Sequence, residues 1–409
     1  MDKTNLKKIL AEHELRKPKT GLIKREIFDS IKKKSGFITI ISGIRRCGKS
    51  TLLDQLRQEI SGYYVNFDDE RLIDFSVKDF ELMLELLIEL FGERQVFFFD
   101  EIQNIWGWER FVRRLHDSGK QIFVTGSNAS MLSRELGTHL TGRNIKYSLY
   151  PFSFWEFLSF KGYEMPEILT SKDESLIKRH LNNSIEKGGF PEYLRSDEIE
   201  YLKNLYENII YRDIITRYGL TNEKALKETS QYAASNIGKE LSFNKLRLMT
   251  GLSSATTIKE YFEYLENSYL AFLIPKYDFS LRKQVYYNKK AYFIDTGMTK
   301  LLGFRTSKDR GRILENTVFL ELKRKGNEIY FHKGKNECDF LIRKGTRIVD
   351  AIQVTEDPSA EREIEGIKEA MEVYKLKKGL ILTDDEEREI RYGRKRIIIR
   401  PVWKWLLGL

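Results

Sequence analysis

The sequence predicts a multi-domain α/β protein whose first domain is a parallel sheet covered on both faces by helices. Three observations predict it. Short apolar, β-branched runs alternate with helical patterns over residues 37–150. One run leads straight into Gly43-Ile44-Arg45-Arg46-Cys47-Gly48-Lys49-Ser50, which has the G-x-x-x-x-G-K-S spacing of a phosphate-binding loop. Another, Val96–Phe99, ends in two adjacent acids, Asp100 and Glu101.

Residues 1–36 read as helical and basic, and lead into the first strand. The expected strands are 37–42, 63–67, 96–100, 122–125 and 145–149. The first is a buried parallel strand by composition. The loop after it must bring backbone N–H groups close to a triphosphate, which glycines permit and side chains obstruct. Lys49 then reaches the outer phosphates, the Ser50 hydroxyl can ligate Mg²⁺, and Thr51 opens a helix whose N-terminus favours an anion.

Asp100, at the end of its strand, can support the Mg²⁺ shell from the side opposite Ser50. Glu101 can orient or deprotonate an attacking water, which argues for hydrolysis. One βα unit later, Phe123-Val124-Thr125-Gly126-Ser127-Asn128 is another apolar strand ending in small polar residues. Ser127 or Asn128 can sense a γ-phosphate; either can equally cap the next helix. Arg143, in Leu140-Thr141-Gly142-Arg143, is either a finger reaching a neighbouring subunit's γ-phosphate, which requires an oligomer, or a surface arginine in an intramolecular ion pair.

This order of motifs, followed by Leu149-Tyr150-Pro151-Phe152-Ser153-Phe154-Trp155-Glu156-Phe157, resembles the prokaryotic AAA-superfamily ATPases that carry a conserved C-terminal domain of unknown function. Gly188-Gly189-Phe190-Pro191-Glu192-Tyr193, Tyr292-Phe293-Ile294-Asp295-Thr296-Gly297 and Arg400-Pro401-Val402-Trp403-Lys404-Trp405-Leu406 extend the likeness over nearly the whole chain. The resemblance implies an AAA-type core using ATP and Mg²⁺, with Lys49, Ser50, Asp100 and Glu101 in the roles above. It implies no particular biological task.

Beyond the first 150 residues, 151–220 carry amphipathic helical patterns, read as a helical lid. Residues 221–280 read as three helices with a Gly251 turn before the last, then a strand hairpin: a winged helix-turn-helix. Its third helix, 255–267, buries Ile258, Tyr261, Phe262 and Leu265 and exposes Thr256, Thr257, Lys259 and Glu260, a face that is either a DNA contact or a packing surface relaying nucleotide state. Residues 281–409 resemble the core of restriction-endonuclease-like nucleases, with a helix containing Glu315, strands over 328–331, 338–342 and 347–354, a helix and a further strand. Glu315 and Asp339 fit that family's metal ligands. Gln353 replaces an acid, and Thr355 stands where the family has a lysine. Unless Arg343 or Lys344 supplies the missing charge, the expectation is a nuclease-derived docking scaffold that does not cut.

At 409 residues the chain suits about two to four domains. No apolar stretch approaches the ~18 residues of a membrane span, and the N-terminus lacks a signal peptide's apolar core. Only Cys47 and Cys338 are present, the first inside the phosphate loop, so the reading is a reduced, cytoplasmic protein. The net charge of +10 favours a polyanionic partner such as DNA, although lysine-rich composition alone produces the same surplus. The expected function is therefore an Mg²⁺-dependent ATPase switching on DNA or a DNA-bound partner. The alternatives are a signalling NTPase whose C-terminal half binds a protein, and an ATP-gated nuclease.

Overall fold

The computed structural model describes residues 1–16, 21–33, 36–127, 140, 142–303, 310–357 and 361–409. The chain divides into two compact units, Met1–Tyr150 and Pro151–Leu409.

In the first unit, β1 (Ile38–Ser42), β2 (Tyr63–Asn66), β3 (Val96–Asp100), β4 (Gln121–Gly126) and β5 (Asn144–Ser148) form one sheet in the order β2-β3-β4-β1-β5. Every pairing is parallel. β1 and β3 are buried at all five positions, as expected for strands covered on both faces. Helix Phe80–Phe91 and helix Trp108–Asp117 supply Met83, Leu86, Leu87, Phe111, Val112 and Leu115 to one core. The N-terminal helix Lys3–Leu15 joins that core through Leu6, Ile9 and Leu10. Asp2 caps it, accepting from the Asn5 N–H.

The order of strands positions the site. β4 separates β1, which carries the phosphate loop, from β3, which carries the two acids. A parallel sheet presents the C-terminal ends of all its strands along one edge, and here the order reverses direction across β4 and β1, which opens a crevice at that edge.

The second unit begins with the helices Phe154–Phe160 and Ser171–Lys187, each opened by a capping box, from Ser153 and from Thr170. After helices Pro191–Ser196 and Ile199–Asn208, the last continuing through Ile209–Thr216, comes the order helix Glu223–Ser235, β6 (Glu240–Leu241), helix Phe243–Met249, helix Ala255–Asn267, β7 (Ala271–Pro275), the short helix Leu281–Tyr286 and β8 (Lys289–Phe293). The three strands form an antiparallel sheet in the order β6-β8-β7. Ile258, Tyr261, Phe262 and Leu265 are buried, so the 3- and 4-residue spacing does mark the inner face of helix 255–267.

Helix Arg310–Arg324 is followed by β9 (Glu328–Lys333), β10 (Glu337–Lys344), β11 (Arg347–Val354), helix Glu361–Val373, β12 (Lys378–Thr383), β13 (Arg388–Tyr392) and β14 (Lys395–Pro401). The sheet order is β13-β14-β12-β11-β10-β9. β9, β10 and β11 form an antiparallel meander, and β11-β12 and β12-β14 pair in parallel. Gly366 lets helix 361–373 lie directly on this sheet, because a Cβ there would meet the Glu337 carbonyl oxygen at 2.0 Å.

Candidate active site

The phosphate loop leaves β1 and closes on helix Lys49–Glu59, whose N-cap is Gly48 with φ 103°. That conformation is open to glycine and strained for other residues. Gly43 is required for a different reason. A Cβ there would lie 2.1 Å from the Leu149 carbonyl oxygen and 3.1 Å from Cys47 Sγ. Gly43→Ala is accordingly expected to destabilise the first unit by ~1–3 kcal/mol, read as a lower midpoint in urea at unchanged slope.

Lys49 is buried at the helix start. Its ammonium donates to the carbonyl oxygens of Gly43 (3.2 Å) and Ile44 (3.3 Å) and lies 3.3 Å from a Glu101 carboxylate oxygen. Burial opposes the charge on Lys49, but Glu101 foremost, with Cys47 and Asp100, outweighs it and holds the lysine above its ordinary value. The same pairing holds Glu101 below the usual carboxylate range although burial pushes it up. Cys47 is a buried thiol pushed up by desolvation. It serves as packing under the loop, not as a nucleophile.

Asp100 is buried too, and burial, then the neighbouring Glu101 charge, raises its pKa. Its carboxylate is held from three sides. The Ser50 hydroxyl donates to it, Tyr64 of β2 donates to Oδ2 at 3.0 Å, and Thr125 of β4 donates to Oδ1. Thr125 Oγ1 also accepts the Glu101 N–H at 2.9 Å. That bond fixes Glu101 in the left-handed region, φ 50°, and Gln103 donates to the Glu101 carboxylate at 2.5 Å. A non-glycine residue with positive φ at a strand end is strained backbone held by its surroundings.

Of the residues singled out in the sequence, Gly43 to Thr51, Asp100, Glu101 and Ser127 come together at the C-terminal edge of the sheet. Ser127 is buried just past the end of β4. Asn128 lies outside the described residues. Arg143 is not part of the cluster. It immediately precedes β5, whose Asn144 pairs with Ile38 at the start of β1, so it sits at the opposite edge of the sheet. Its guanidinium pairs with Asp117 at 3.1 Å, the intramolecular ion pair that was the other reading of this residue.

Four residues that sequence reasoning passed over complete the site: Tyr64, Gln103, Thr125 and Arg25. Arg25 is buried and donates to the Cys47 carbonyl (2.8 Å) and the Tyr150 carbonyl (2.6 Å), so it braces the outer side of the loop. Nothing in the local sequence around Arg25 marks it. Thr125 was visible only as part of a strand end.

A family profile described as an AAA domain matches residues 35–158, and a second, described as a domain of unknown function, matches residues 178–308. An uncharacterized protein of Methanocaldococcus jannaschii is 35% identical, with 95% of this chain and 92% of that protein aligned. The chain belongs to the prokaryotic AAA-superfamily ATPases that carry a further conserved domain of unknown function. An uncharacterized protein of Haemophilus influenzae is 31% identical over 84% of this chain and 88% of its own length. Among solved structures, the Walker-type ATPase of Pyrococcus abyssi is similar at 17% identity and a TM-score of 0.46, covering 70% of this chain and 98% of that one. The matched stretch includes the phosphate loop, Asp100 and Glu101. No helix among the described residues is long and apolar enough to cross a membrane.

The second unit holds a further polar cluster. Glu315 and Asp339 converge, as the nuclease resemblance implied, but neither Arg343 nor Lys344 joins them. Arg343 pairs with Glu328 at 2.7 Å, toward the far end of β10, and Lys344 lines a separate cavity. The cation at the cluster is Lys290 of β8, 3.1 Å from Asp339 and 3.5 Å from Glu315. Gln353 is engaged on both sides: its Oε1 accepts the Asp339 N–H at 3.1 Å, and its Nε2 donates to Glu363 at 2.5 Å. Thr355 Oγ1 bonds with the Asp357 backbone.

Proposed function

We propose that the first unit binds Mg²⁺·ATP and hydrolyses it, and that the second couples nucleotide state to DNA or to a DNA-bound partner. The observation that carries the hydrolysis reading is the triangle formed by Lys49, the Asp100 carboxylate bonded to Ser50, and Glu101. A hydroxyl and a carboxylate are hard oxygen donors, and Mg²⁺ takes one or two such protein ligands beside phosphate oxygens and water. Ser50 and Asp100 therefore fit the ion, which neutralises phosphate charge when bound.

The chain's own groups supply the rest. On nucleotide entry Lys49 exchanges the loop carbonyls and Glu101 for phosphate oxygens. Glu101, ionised and released from that pair, is left to accept a proton from the attacking water. Thr125 holds both acids in register by accepting from the Glu101 backbone and donating to Asp100. Thr125→Val is expected to lower turnover by about tenfold to a hundredfold while ATP binding changes little, measured as kcat against the Kd of a labelled nucleotide. Ser127 and Asn128 remain the proposed γ-phosphate sensors. Arg143 could act only on a neighbouring molecule, after leaving Asp117.

The DNA reading rests on the element order from 223 to 293, helix–strand–helix–helix–strand, then a short helix Leu281–Tyr286 and a last strand, with a β6-β8-β7 sheet; this order resembles a winged helix whose wing carries the extra helix. Lys259 is exposed on its third helix, and Arg282 and Lys283 are exposed on the connection between β7 and β8. DNA should stimulate ATP turnover, and binding should weaken roughly tenfold or more between about 50 and 200 mM salt. The double change Arg282→Glu/Lys283→Glu should lower that salt slope. Turnover indifferent to DNA, with no salt-sensitive binding, would leave the reading of a signalling NTPase with a protein-binding half. The C-terminal sheet is proposed as a nuclease-derived scaffold without cutting activity, because Gln353 is already committed to its neighbours and Thr355 carries no charge.

A further inference from the structure

The cluster in the second unit lines a cavity of about 770 Å³, and its floor is assembled from three elements. Glu315 comes from helix 310–324, Glu337 and Asp339 from β10, and Lys290 from β8 of the other sheet. The Lys290 ammonium lies 2.6 Å from Glu337 Oε1, 3.1 Å from Asp339 Oδ1 and 3.5 Å from Glu315 Oε1. Lys290 is 1% exposed. The remaining contacts close the carboxylates further. The Tyr292 hydroxyl donates to Glu315 Oε1 at 2.6 Å, and the Val354 N–H to Asp339 Oδ2 at 3.0 Å. Gly238 leaves room for the other Glu315 oxygen, since a Cβ there would stand 2.6 Å from Oε2.

Glu315 and Asp339 are buried and must be paired with a cation, because burying a carboxylate unpaired costs several kcal/mol, while Glu337, 39% exposed, stands at the rim. In a nuclease-like arrangement a divalent ion takes that place. Here an ammonium lies within 3.5 Å of all three carboxylates, and the Tyr292 hydroxyl and the Val354 N–H hold Glu315 and Asp339 besides.

We infer that Lys290 is the resident cation of this pocket: it joins the Glu315–Glu337–Asp339 group in place of a divalent ion, so the second unit assembles without metal and takes none up there. The substituted acid at Gln353 and the neutral Thr355 agree with a pocket released from metal chemistry. The inference is independent of the nucleotide reading.

Mn²⁺ binding followed by electron paramagnetic resonance on the full chain, without nucleotide, tests it. Wild type and Asp339→Asn should leave the same amount of free Mn²⁺, and chelator should not shift the melting temperature of wild type. Lys290→Gln should gain a Mn²⁺ site that Lys290→Gln/Asp339→Asn lacks, and without Mn²⁺ its unfolding constant should rise more than about a hundredfold, as for a broken buried ion pair. Uptake of Mn²⁺ by wild type that Asp339→Asn abolishes would overturn the inference, as would a folded Lys290→Gln protein that binds no Mn²⁺. If Lys290→Gln does not fold, the comparison of wild type with Asp339→Asn decides by itself.

Discussion

Glu101→Gln is expected to lower ATP turnover by ~10²–10⁴-fold while ATP still binds, the range that loss of a positioned general base produces. The change keeps the size of the side chain and its hydrogen bond with Gln103, but removes the proton acceptor. It also removes the carboxylate that lies 3.3 Å from Lys49 in the resting site. The lysine is then free to meet phosphate without first giving up a partner, so affinity for ATP should hold or rise. Single-turnover hydrolysis beside equilibrium binding of a labelled nucleotide separates the two effects. Turnover within about threefold of wild type would remove Glu101 from the water-activating role.

Lys49→Ala is expected to act mainly on binding, raising the Kd for ATP by roughly 30-fold or more, the scale for truncating one member of a buried charge pair. Lys49 is buried, and alanine leaves the Glu101 carboxylate without its closest cation and beside Asp100. Two neighbouring carboxylates with less compensation then face an incoming triphosphate, and the repulsion adds to the lost contact. Calorimetric titration with Mg·ATP reads the result directly. A Kd close to that of wild type would mean that the loop backbone and the helix N-terminus hold the phosphates without the lysine.

Both predictions concern residues that were legible in the sequence. The phosphate loop has a fixed spacing because close approach to phosphate demands glycine at set positions. The acids were legible because they end an apolar run that had to be a buried strand. Ser127 stood out for a similar reason. The helix 255–267 was readable to its ends, since four apolar residues at helical spacing left no other face to bury. The edge strand β13 was not read: charged residues take three of the five positions of Arg388-Glu389-Ile390-Arg391-Tyr392, which leaves no apolar run to mark an inner face.

Local pattern alone determined what each segment of this chain is: a loop for phosphate, a strand ending in acids, a basic N-terminal helix, a C-terminal order of helix and strands that looks nuclease-like. Which segments meet was decided by tertiary structure. Strand order placed Thr125 between the loop and the acids, Arg25 reached across 22 residues to the Cys47 carbonyl, Arg143 was left at the far edge, and Lys290 of one sheet entered the acidic floor of another. Periodicity and spacing record the requirements a segment meets by itself. A hydrogen bond or ion pair between distant segments depends on the register of the sheets between them, and no local pattern encodes that register.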